Sequence, residues 1–386
     1  MKRGGVMDNQ TRAMQTVSHT PAYVLDEEKL LQNLEILKGV QERTGCRILL
    51  AQKAFSMFRV YPLCARYLAG TTASGLYEAR LGREEFGGEV HVFEPAYKPD
   101  EMAELCKTAD FVYCNSMRQL AAFADTIHAA GRQVGLRINP ECSTQDEPIY
   151  DPCAPGSRLG VTLANLEPDM LAKVDGIHFH TLCEQGADAL ETTLRAVEDK
   201  FGQYLHGVKW VNFGGGHHIT KPGYDIPLLE KLITEFAQKY DVQVYLEPGE
   251  AIALNAGYLV TEIMDIVENG LHIAVLDASA ACHMPDVLEM PYRPPLYKGG
   301  MPDEKRITYR LSSRTCLAGD IIGDYSFDAP LAIGERLCFE DMAIYSMVKN
   351  NTFNGMPLPD IGILHTDGSY EVVKHFGYED FKERLS

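Results

Sequence analysis

Eight short apolar segments, separated by stretches long enough to form helices, constrain the fold of this chain most strongly. Short apolar runs are typical of buried strands, and strands that alternate with helices are typical of a parallel α/β architecture. Eight such repeats predict a (β/α)8 barrel. The segments lie at 47–53, 71–74, 90–93, 111–114, 134–139, 174–180, 209–213 and 243–246.

The rhythm of the sequence changes beyond about residue 257. Segments at 258–266, 271–276, 306–311, 335–339 and 361–365 have β character, and no long helical pattern separates them. We therefore expect an α/β protein with a barrel at 20–257 and a β-rich domain at 258–386. We expect the strand at 21–25 to join the β-rich domain, and residues 1–19 to form a flexible leader.

Composition excludes several classes of partner. The 386 residues carry a net charge of −18, which argues against nucleic acid and anionic membranes as ligands. No apolar run approaches the roughly 18 residues that a membrane helix needs. The ten cysteines form no CxxC pair, and the polar first 20 residues lack the apolar core of a secretion signal. We expect a protein of the reducing cytoplasm.

Polar residues and glycines end most of the predicted barrel strands, and Lys53 is the most informative of them. A lysine at the carboxyl end of a barrel strand points into the mouth where catalytic residues gather. Apolar neighbours would lower the pKa of its amine and make it a nucleophile toward aldehydes. A strand that simply reaches the surface at Lys53 is the alternative.

Three further strand ends carry groups that suit a phosphorylated aromatic ligand. Backbone N–H groups of Gly214, Gly215 and Gly216 can cradle a phosphate, and barrels often bind phosphate after strands seven and eight. His180, in a His-Phe-His segment, could stack on a flat ring, ligate a metal or cap the strand. Glu247 begins Glu-Pro-Gly-Glu, which is often only a turn.

Two segments of the β-rich domain also carry reactive groups. Cys316 lies in Thr-Cys-Leu-Ala-Gly-Asp, where it could be either a core thiol or a reactive one. Tyr345 precedes a Phe-Asn-Gly segment and could donate to a phosphate or pack as an edge aromatic.

Taken in this order, the segments resemble the fold-type III pyridoxal-phosphate family, which contains alanine racemase and the ornithine, arginine and diaminopimelate decarboxylases. The resemblance runs from about residue 20 to the C-terminus. It implies that Lys53 carries the cofactor and that His180 stacks on its ring. It also implies that Gly214, Gly215 and Gly216 bind the phosphate and that Glu247 meets the pyridine nitrogen, where a carboxylate keeps that nitrogen protonated.

The resemblance extends to the β-rich domain and to assembly. It implies a homodimer with shared sites, in which Cys316 and Asp320 come from the partner subunit. Cys316 would then be a proton donor, Asp320 would bind the substrate, and Tyr345 would contact the cofactor.

One departure from the family pattern points to the substrate. The common decarboxylase motif is Glu-Pro-Gly-Arg, whereas Glu250 replaces the arginine here. A carboxylate suits a cationic polyamine arm, where an arginine suits the second carboxylate of diaminopimelate. Asp286, in the Pro-bounded segment 283–293, is a second candidate for this role, with a solvated loop residue as the alternative. With Thr-Cys-Leu-Ala-Gly-Asp, these motifs are similar to family members that act on carboxylated polyamines.

Other functions remain open from the residues alone. A neighbouring decarboxylase or a racemase is one alternative, although no tyrosine is identifiable as the second base of a racemase. A metal-dependent barrel hydrolase could use His178, His180, His217 and Asp277, although such enzymes usually carry the His-x-His pair on the first strand. A non-catalytic pyridoxal-phosphate carrier is a third alternative, and the β-rich domain argues against it.

Overall fold

The structure is a computed structural model, which describes residues 7–145 and 147–386. The chain divides into two compact units. The barrel unit is Asn33–Ile252, and the sheet unit combines the residues up to Gln32 with Ala253–Ser386.

Strands and helices follow one another through both units. The strands are β1 (Ala22–Asp26), β2 (Arg47–Ala51), β3 (Gly70–Ala73), β4 (Glu89–Phe93), β5 (Phe111–Cys114), β6 (Gln133–Arg137), β7 (Gly176–His178), β8 (Trp210–Asn212), β9 (Gln243–Leu246), β10 (Gly257–Glu268), β11 (His272–Leu276), β12 (Ile307–Ser313), β13 (Ile321–Phe327), β14 (Arg336–Glu340), β15 (Asp360–Leu364) and β16 (Tyr370–Lys374). The α-helices are α1 (Asn9–Thr16), α2 (Glu27–Thr44), α3 (Tyr61–Cys64), α4 (Leu76–Leu81), α5 (Met102–Thr108), α6 (Met117–Ala129), α7 (Ala187–Leu205), α8 (Ile226–Tyr240), α9 (Glu250–Ala253), α10 (Ala280–His283), α11 (Asp286–Glu289), α12 (Ser346–Lys349) and α13 (Tyr378–Lys382).

Strands β2 to β9 form a closed barrel in which neighbours in the chain are neighbours in the sheet. All the pairings are parallel, and β9 closes the barrel against β2 through Arg47↔Tyr245. The fold class predicted from the eight apolar segments is therefore confirmed.

Aromatic side chains fill part of the barrel interior. Tyr113, Trp210 and Tyr245 form one buried cluster with Leu49 and Phe111. At residue 176 in β7, glycine makes room for the indole, because a Cβ atom there would lie 2.0 Å from Trp210 Cδ2. This packed interior keeps the barrel a core rather than a pore, as is usual for the fold.

The connection between β6 and β7 differs from the helix that the spacing predicts. Residues 138–175 contain only the short 3₁₀ helices Pro148–Tyr150, Leu163–Asn165 and Pro168–Lys173, among the part of this connection that the structure describes. The reason lies in its prolines, at positions 140, 148, 152, 155 and 168, which remove backbone donors and clash with the preceding turn.

The sheet unit has the strand order β13-β12-β11-β10-β1-β15-β16, and β14 pairs with β10. Strand β1 pairs antiparallel with β10 and parallel with β15. The sequence patterns missed two strands. In β13 the Gly323-Asp324 pair interrupts the apolar alternation, and β16 is a five-residue segment in which Glu371 and Lys374 leave only three apolar residues.

The prediction of a flexible leader at residues 1–19 is wrong for the residues that the structure describes. Asp8 caps α1 by accepting the Thr11 N–H at 2.8 Å, and Ala13 and Val17 are buried in the core of the sheet unit. Arg336 donates to the carbonyl oxygens of Met14 and Val17 at 2.8 and 2.7 Å. Two apolar residues four positions apart thus anchor this segment. Residues 1–6 lie outside the described part.

Helices in residues 7–145 and 147–386 are all too short or too polar to cross a membrane. Each of the ten cysteines has a free thiol.

Candidate active site

Four predicted site elements follow different barrel strands at their carboxyl ends. Lys53 lies two residues beyond β2, rather than within the strand as predicted, and His180 lies two residues beyond β7. The glycine turn begins two residues beyond β8, and Glu247 directly follows β9. Because the strands of the barrel are parallel, these ends meet at one mouth.

The amine of Lys53 is shifted toward its neutral form. Its pKa is lowered chiefly by burial and then by the positive charge of Arg137, while Glu247 opposes the shift. Although protein surrounds the amine at the barrel mouth, the Lys53 side chain is exposed to solvent. An amine that is both accessible and easily deprotonated can act as a nucleophile.

His180 presents an uncharged ring. Its Nδ1 accepts the N–H of Gly215 at 2.7 Å, which leaves the proton of the neutral ring on Nε2. Burial, followed by the nearby charges of Lys53 and Arg137, holds its pKa well below the ordinary value. The ring is therefore a neutral, fixed plane at the barrel mouth.

The turn Gly214–Gly216 has no room for side chains. Gly214 and Gly216 have positive φ angles of 72° and 81°. A Cβ atom at Gly215 would lie 2.5 Å from the Glu247 carbonyl oxygen. The N–H groups of Gly214 and Gly215 already donate to Asn212 and His180. An anion bound at this turn would therefore accept hydrogen bonds from the backbone N–H groups of Gly216 and the residues that follow it.

Glu247 is a buried, ionised carboxylate. Asn212 Nδ2 donates to its Oε1 at 2.8 Å, and His178 Nε2 lies 3.3 Å from its Oε2. Burial alone would raise the pKa of Glu247, but His178 and His91 outweigh it and hold the pKa at about 2. Since burial lowers the pKa of His178, we assign the charge of this pair to Glu247 and treat the imidazole as neutral.

Comparison with known proteins identifies the family of the chain. Residues 22–343 match the family described as pyridoxal-dependent decarboxylase, C-terminal sheet domain. The chain belongs to this family.

Three relatives of this pyridoxal-dependent decarboxylase are informative. A carboxynorspermidine/carboxyspermidine decarboxylase of Campylobacter jejuni is 41% identical, over 95% of this chain and 98% of its own length. A carboxyaminopropylagmatine decarboxylase of Synechocystis is 44% identical, over 95% of both chains. The crystal structure of carboxynorspermidine decarboxylase from Campylobacter jejuni, complexed with norspermidine, superposes with a TM-score of 0.89 at 40% identity, covering 95% of this chain and 100% of that one.

The residues at the barrel mouth fit pyridoxal phosphate, the cofactor of this family. Neither ring nitrogen of His178 has a hydrogen-bond partner among the described residues, although the ring is buried beside the Glu247 carboxylate. Buried polar groups normally have partners, so this pair suits a ligand with a polar ring atom. The tight glycine turn, the neutral His180 ring and the Lys53 amine suit its phosphate, its flat face and its aldehyde.

Several residues of this decarboxylase site escaped the sequence interpretation. Arg137, at the end of β6, is buried, donates to the His180 carbonyl oxygen at 3.3 Å and stacks over Phe93. A charged residue at a strand end was the signal that found Lys53, and it would have found Arg137 too. Asn212 donates to Glu247 and, at 2.9 Å, to the Tyr113 hydroxyl, which is also hydrogen-bonded to His91 Nδ1. Nothing in the sequence identifies this series of hydrogen bonds inside the barrel.

Cys316 and Asp320 lie in the sheet unit. Cys316 is exposed, and its backbone N–H donates to Asn354 Oδ1 at 2.6 Å. The carboxylate of Asp320 is buried and accepts the hydroxyls of Ser279, Ser313 and Thr315, each at 2.6 Å. These bonds occupy the carboxylate that we expected to bind substrate. Asp320 therefore stabilises the conformation of the loop that contains Cys316.

Tyr345 and Asp286, also in the sheet unit, have well-defined surroundings. Tyr345 is half-buried and has a positive φ of 52° just before α12. Asp286, at the start of α11, pairs with Lys349, which also bonds Glu289 at 2.6 Å. The predicted role of Asp286 in binding a cationic substrate is weakened by this cation in its own chain.

Glu250, the first residue of α9, lies in the same neighbourhood as Lys53. Burial, followed by the carboxylates of Glu184 and Glu250, raises the pKa of Cys183 to about 11, while Lys53 opposes the shift. The turn before Glu250 also contacts the segment that carries Lys53, because the Ala51 N–H donates to the Pro248 carbonyl oxygen at 3.3 Å. His218 Nε2 lies 3.6 Å from Glu250, and burial lowers the pKa of this histidine.

The alternative of a metal-dependent hydrolase is not supported. Its histidines, 178, 180 and 217, belong to the barrel unit, whereas Asp277 belongs to the sheet unit and accepts the Glu262 N–H at 2.9 Å. Within the described ranges these four residues do not form a cluster with metal-ligand spacing.

Proposed function

We propose that the chain decarboxylates carboxynorspermidine or carboxyspermidine with pyridoxal phosphate, yielding norspermidine or spermidine in polyamine biosynthesis. The observation that carries this proposal is the barrel mouth, where a nucleophilic lysine, a neutral histidine plane and an ionised buried glutamate converge beside a second carboxylate, Glu250. The name of the Campylobacter jejuni relative, which aligns over 95% of this chain, supports the choice of substrate. Release of CO2 from synthetic carboxynorspermidine by the purified holoenzyme tests it.

Each barrel residue has a role in this proposal. Lys53 would hold the cofactor covalently, and the His180 ring would lie against its flat face. Glu247 would accept a hydrogen bond from the ring nitrogen and keep it protonated. Pyridoxal phosphate, when bound, supplies the electron sink for the pair released with CO2. Asn212 holds Glu247 and the first glycine of the phosphate turn together, since it bonds both.

Cys316 acts in trans in this proposal. The chain forms a homodimer in the cytoplasm, and each barrel receives Cys316 from the partner subunit, as the family resemblance implies. Tyr345 contacts the cofactor. The Cys316 thiol returns a proton to the former α-carbon. Its exposure in the described chain supports a role at an interface rather than in a core.

Mixing two inactive variants tests the shared site. Lys53→Ala and Cys316→Ala subunits, co-refolded in equal amounts, should recover about a quarter of full activity, because half of the dimers are mixed and each keeps one intact site. Activity against mixing ratio is the measurement. Subunit exchange proven by mass-tagged chains, without any recovery, would contradict the trans assignment.

Glu250 recognises the cationic arm of the substrate in this proposal. Carboxynorspermidine carries two protonated amines beyond its amino-acid end, so a carboxylate at the mouth complements its charge. An ion pair is most effective where water is partly excluded, and the Glu250 side chain is only 19% exposed.

Replacing Glu250 by glutamine should lower kcat/KM for carboxynorspermidine by about 10- to 150-fold. That range corresponds to about 1.5–3 kcal/mol for a hydrogen bond to a charged group. Cofactor content should stay normal, because Glu250 has no role at the ring or the phosphate. Asp286→Asn is the matched comparison, and we expect a smaller loss because Lys349 already pairs with that carboxylate. Unchanged kinetics in Glu250→Gln would exclude this role.

Carboxyaminopropylagmatine is a second candidate substrate. The relative from Synechocystis that carries this name is 44% identical to the chain. Its agmatine arm ends in a guanidinium group, which is also a cation but is planar and can bond a carboxylate through two N–H groups. The charge of Glu250 suits both arms, so direct kinetic comparison is required.

A further inference from the structure

Three residues far apart in sequence meet at one end of the sheet unit. Strand β15 lies between β1, its parallel neighbour, and β16, its antiparallel neighbour. Asp360 is the first residue of β15, His19 precedes β1 by three residues, and His375 directly follows β16. The two neighbouring strands therefore bring one histidine to each side of the aspartate.

Hydrogen bonds hold this end of the sheet in register. The Asp360 N–H donates to the Pro21 carbonyl oxygen at 3.0 Å, which fixes the segment carrying His19. On the other side, His375 Nδ1 lies 2.9 Å from Asp360 Oδ1. The Ser18 hydroxyl, 3.1 Å from His19 Nδ1, restricts the orientation of the second ring.

The donor atoms of the three side chains are close enough to share a cation. One ligand atom from each of His19, Asp360 and His375 lies within 4.8 Å of the others. Ligands of tetrahedral zinc are about 3.3 Å apart, since zinc lies about 2.0 Å from each, so a small rotation of exposed rings brings them into place. Both imidazoles are exposed and Asp360 is buried.

We propose that His19, Asp360 and His375 form a binding site for a divalent transition metal, with Zn²⁺ as the expected occupant. Two imidazoles with one carboxylate suit zinc and its neighbours rather than Mg²⁺ or Ca²⁺, which prefer oxygen ligands. A buried carboxylate normally pairs with a cation or binds a metal, and Asp360 contacts a histidine and the Phe376 N–H. Water completes the exposed side. The metal ties the N-terminal segment to the last β-hairpin.

Zinc binding by the holoenzyme tests the site. Protein without an affinity tag, treated with a chelator and then dialysed against micromolar Zn²⁺, should retain one more zinc ion per chain than His19→Gln or His375→Gln. Zinc should raise the Tm of the unmodified protein by about 2–5 °C, since a ligand that binds only the folded state stabilises it. The two variants should lose most of this shift.

His272→Gln is the matched control. His272 lies in the same unit and pairs with a carboxylate, Glu268, at 2.8 Å, but it belongs to no three-ligand cluster among the described residues. This variant should bind zinc like the unmodified protein. Circular dichroism and decarboxylase activity confirm that each variant folds. Equal zinc content in the unmodified protein and in both site variants would overturn the proposal.

Discussion

Replacing Lys53 by alanine should abolish turnover, with a loss of at least about 10⁴-fold in kcat, because the variant loses the nucleophilic amine at the barrel mouth that we expect to bind the cofactor. The visible absorbance of protein-bound pyridoxal phosphate should disappear after gel filtration. Lys53 suits this covalent role because the pKa of its amine is lowered, chiefly by burial and then by the positive charge of Arg137.

Lys98→Ala is the control for this variant. Lys98 lies in the loop after β4, but its side chain is 74% exposed and pairs with Glu101 at 3.4 Å. Its variant should keep full absorbance and activity. Borohydride reduction followed by peptide mass spectrometry locates the attached cofactor. A reduced adduct that persists in Lys53→Ala would show that another lysine carries the cofactor.

Glu247→Gln should lower kcat by about 10²–10³-fold, the range for loss of one preorganised electrostatic group. Glutamine keeps the shape of the side chain and can still accept the Asn212 donor through its oxygen. What it loses is the negative charge that Glu247 carries, with a pKa of about 2, throughout the neutral range. The ring nitrogen then loses the partner that keeps it protonated, and the absorbance spectrum of the bound cofactor should change.

Glu94→Gln separates this effect from a general loss of charge at the mouth. Glu94 follows β4 directly, as Glu247 follows β9, so both lie at carboxyl ends of barrel strands. Its replacement should leave kcat at saturating substrate within a few-fold of the unmodified value. Equal losses of kcat in the Glu94 and Glu247 variants would indicate that Glu247 acts only through the total negative charge at the barrel mouth.

The barrel could be predicted from sequence because most of its strands are short apolar runs whose ends carry recognisable residues. The location of Lys53, His180, Gly214 and Glu247 at the barrel mouth could be predicted for the same reason, since parallel strands bring their ends together whatever the connections do. The structure of the β6–β7 connection could not be predicted from its length. Its length suits a helix, but its prolines prevent one.

Interior polar contacts could not be predicted. Asn212 and Tyr113 lie on β8 and β5, which are not adjacent in the sheet, and only closure of the barrel brings their side chains together. The burial of residues in the N-terminal leader could not be predicted for a related reason. Its helix is polar overall, with Ala13 and Val17 buried in the core of the sheet unit and Met14 packed against that core. Partners distant in sequence determine both features, and periodicity does not reveal them.

The most direct test of the proposed activity is kcat/KM measured with one holoenzyme preparation on carboxynorspermidine, carboxyspermidine, carboxyaminopropylagmatine and diaminopimelate. We expect the polyamine-type substrates to exceed diaminopimelate by at least about 10³-fold, because a second carboxylate would face Glu250 without a cation. Carboxynorspermidine and carboxyspermidine should differ by no more than about 1–3 kcal/mol, the value of one methylene. Decarboxylation of diaminopimelate faster than of any polyamine-type substrate would contradict the account.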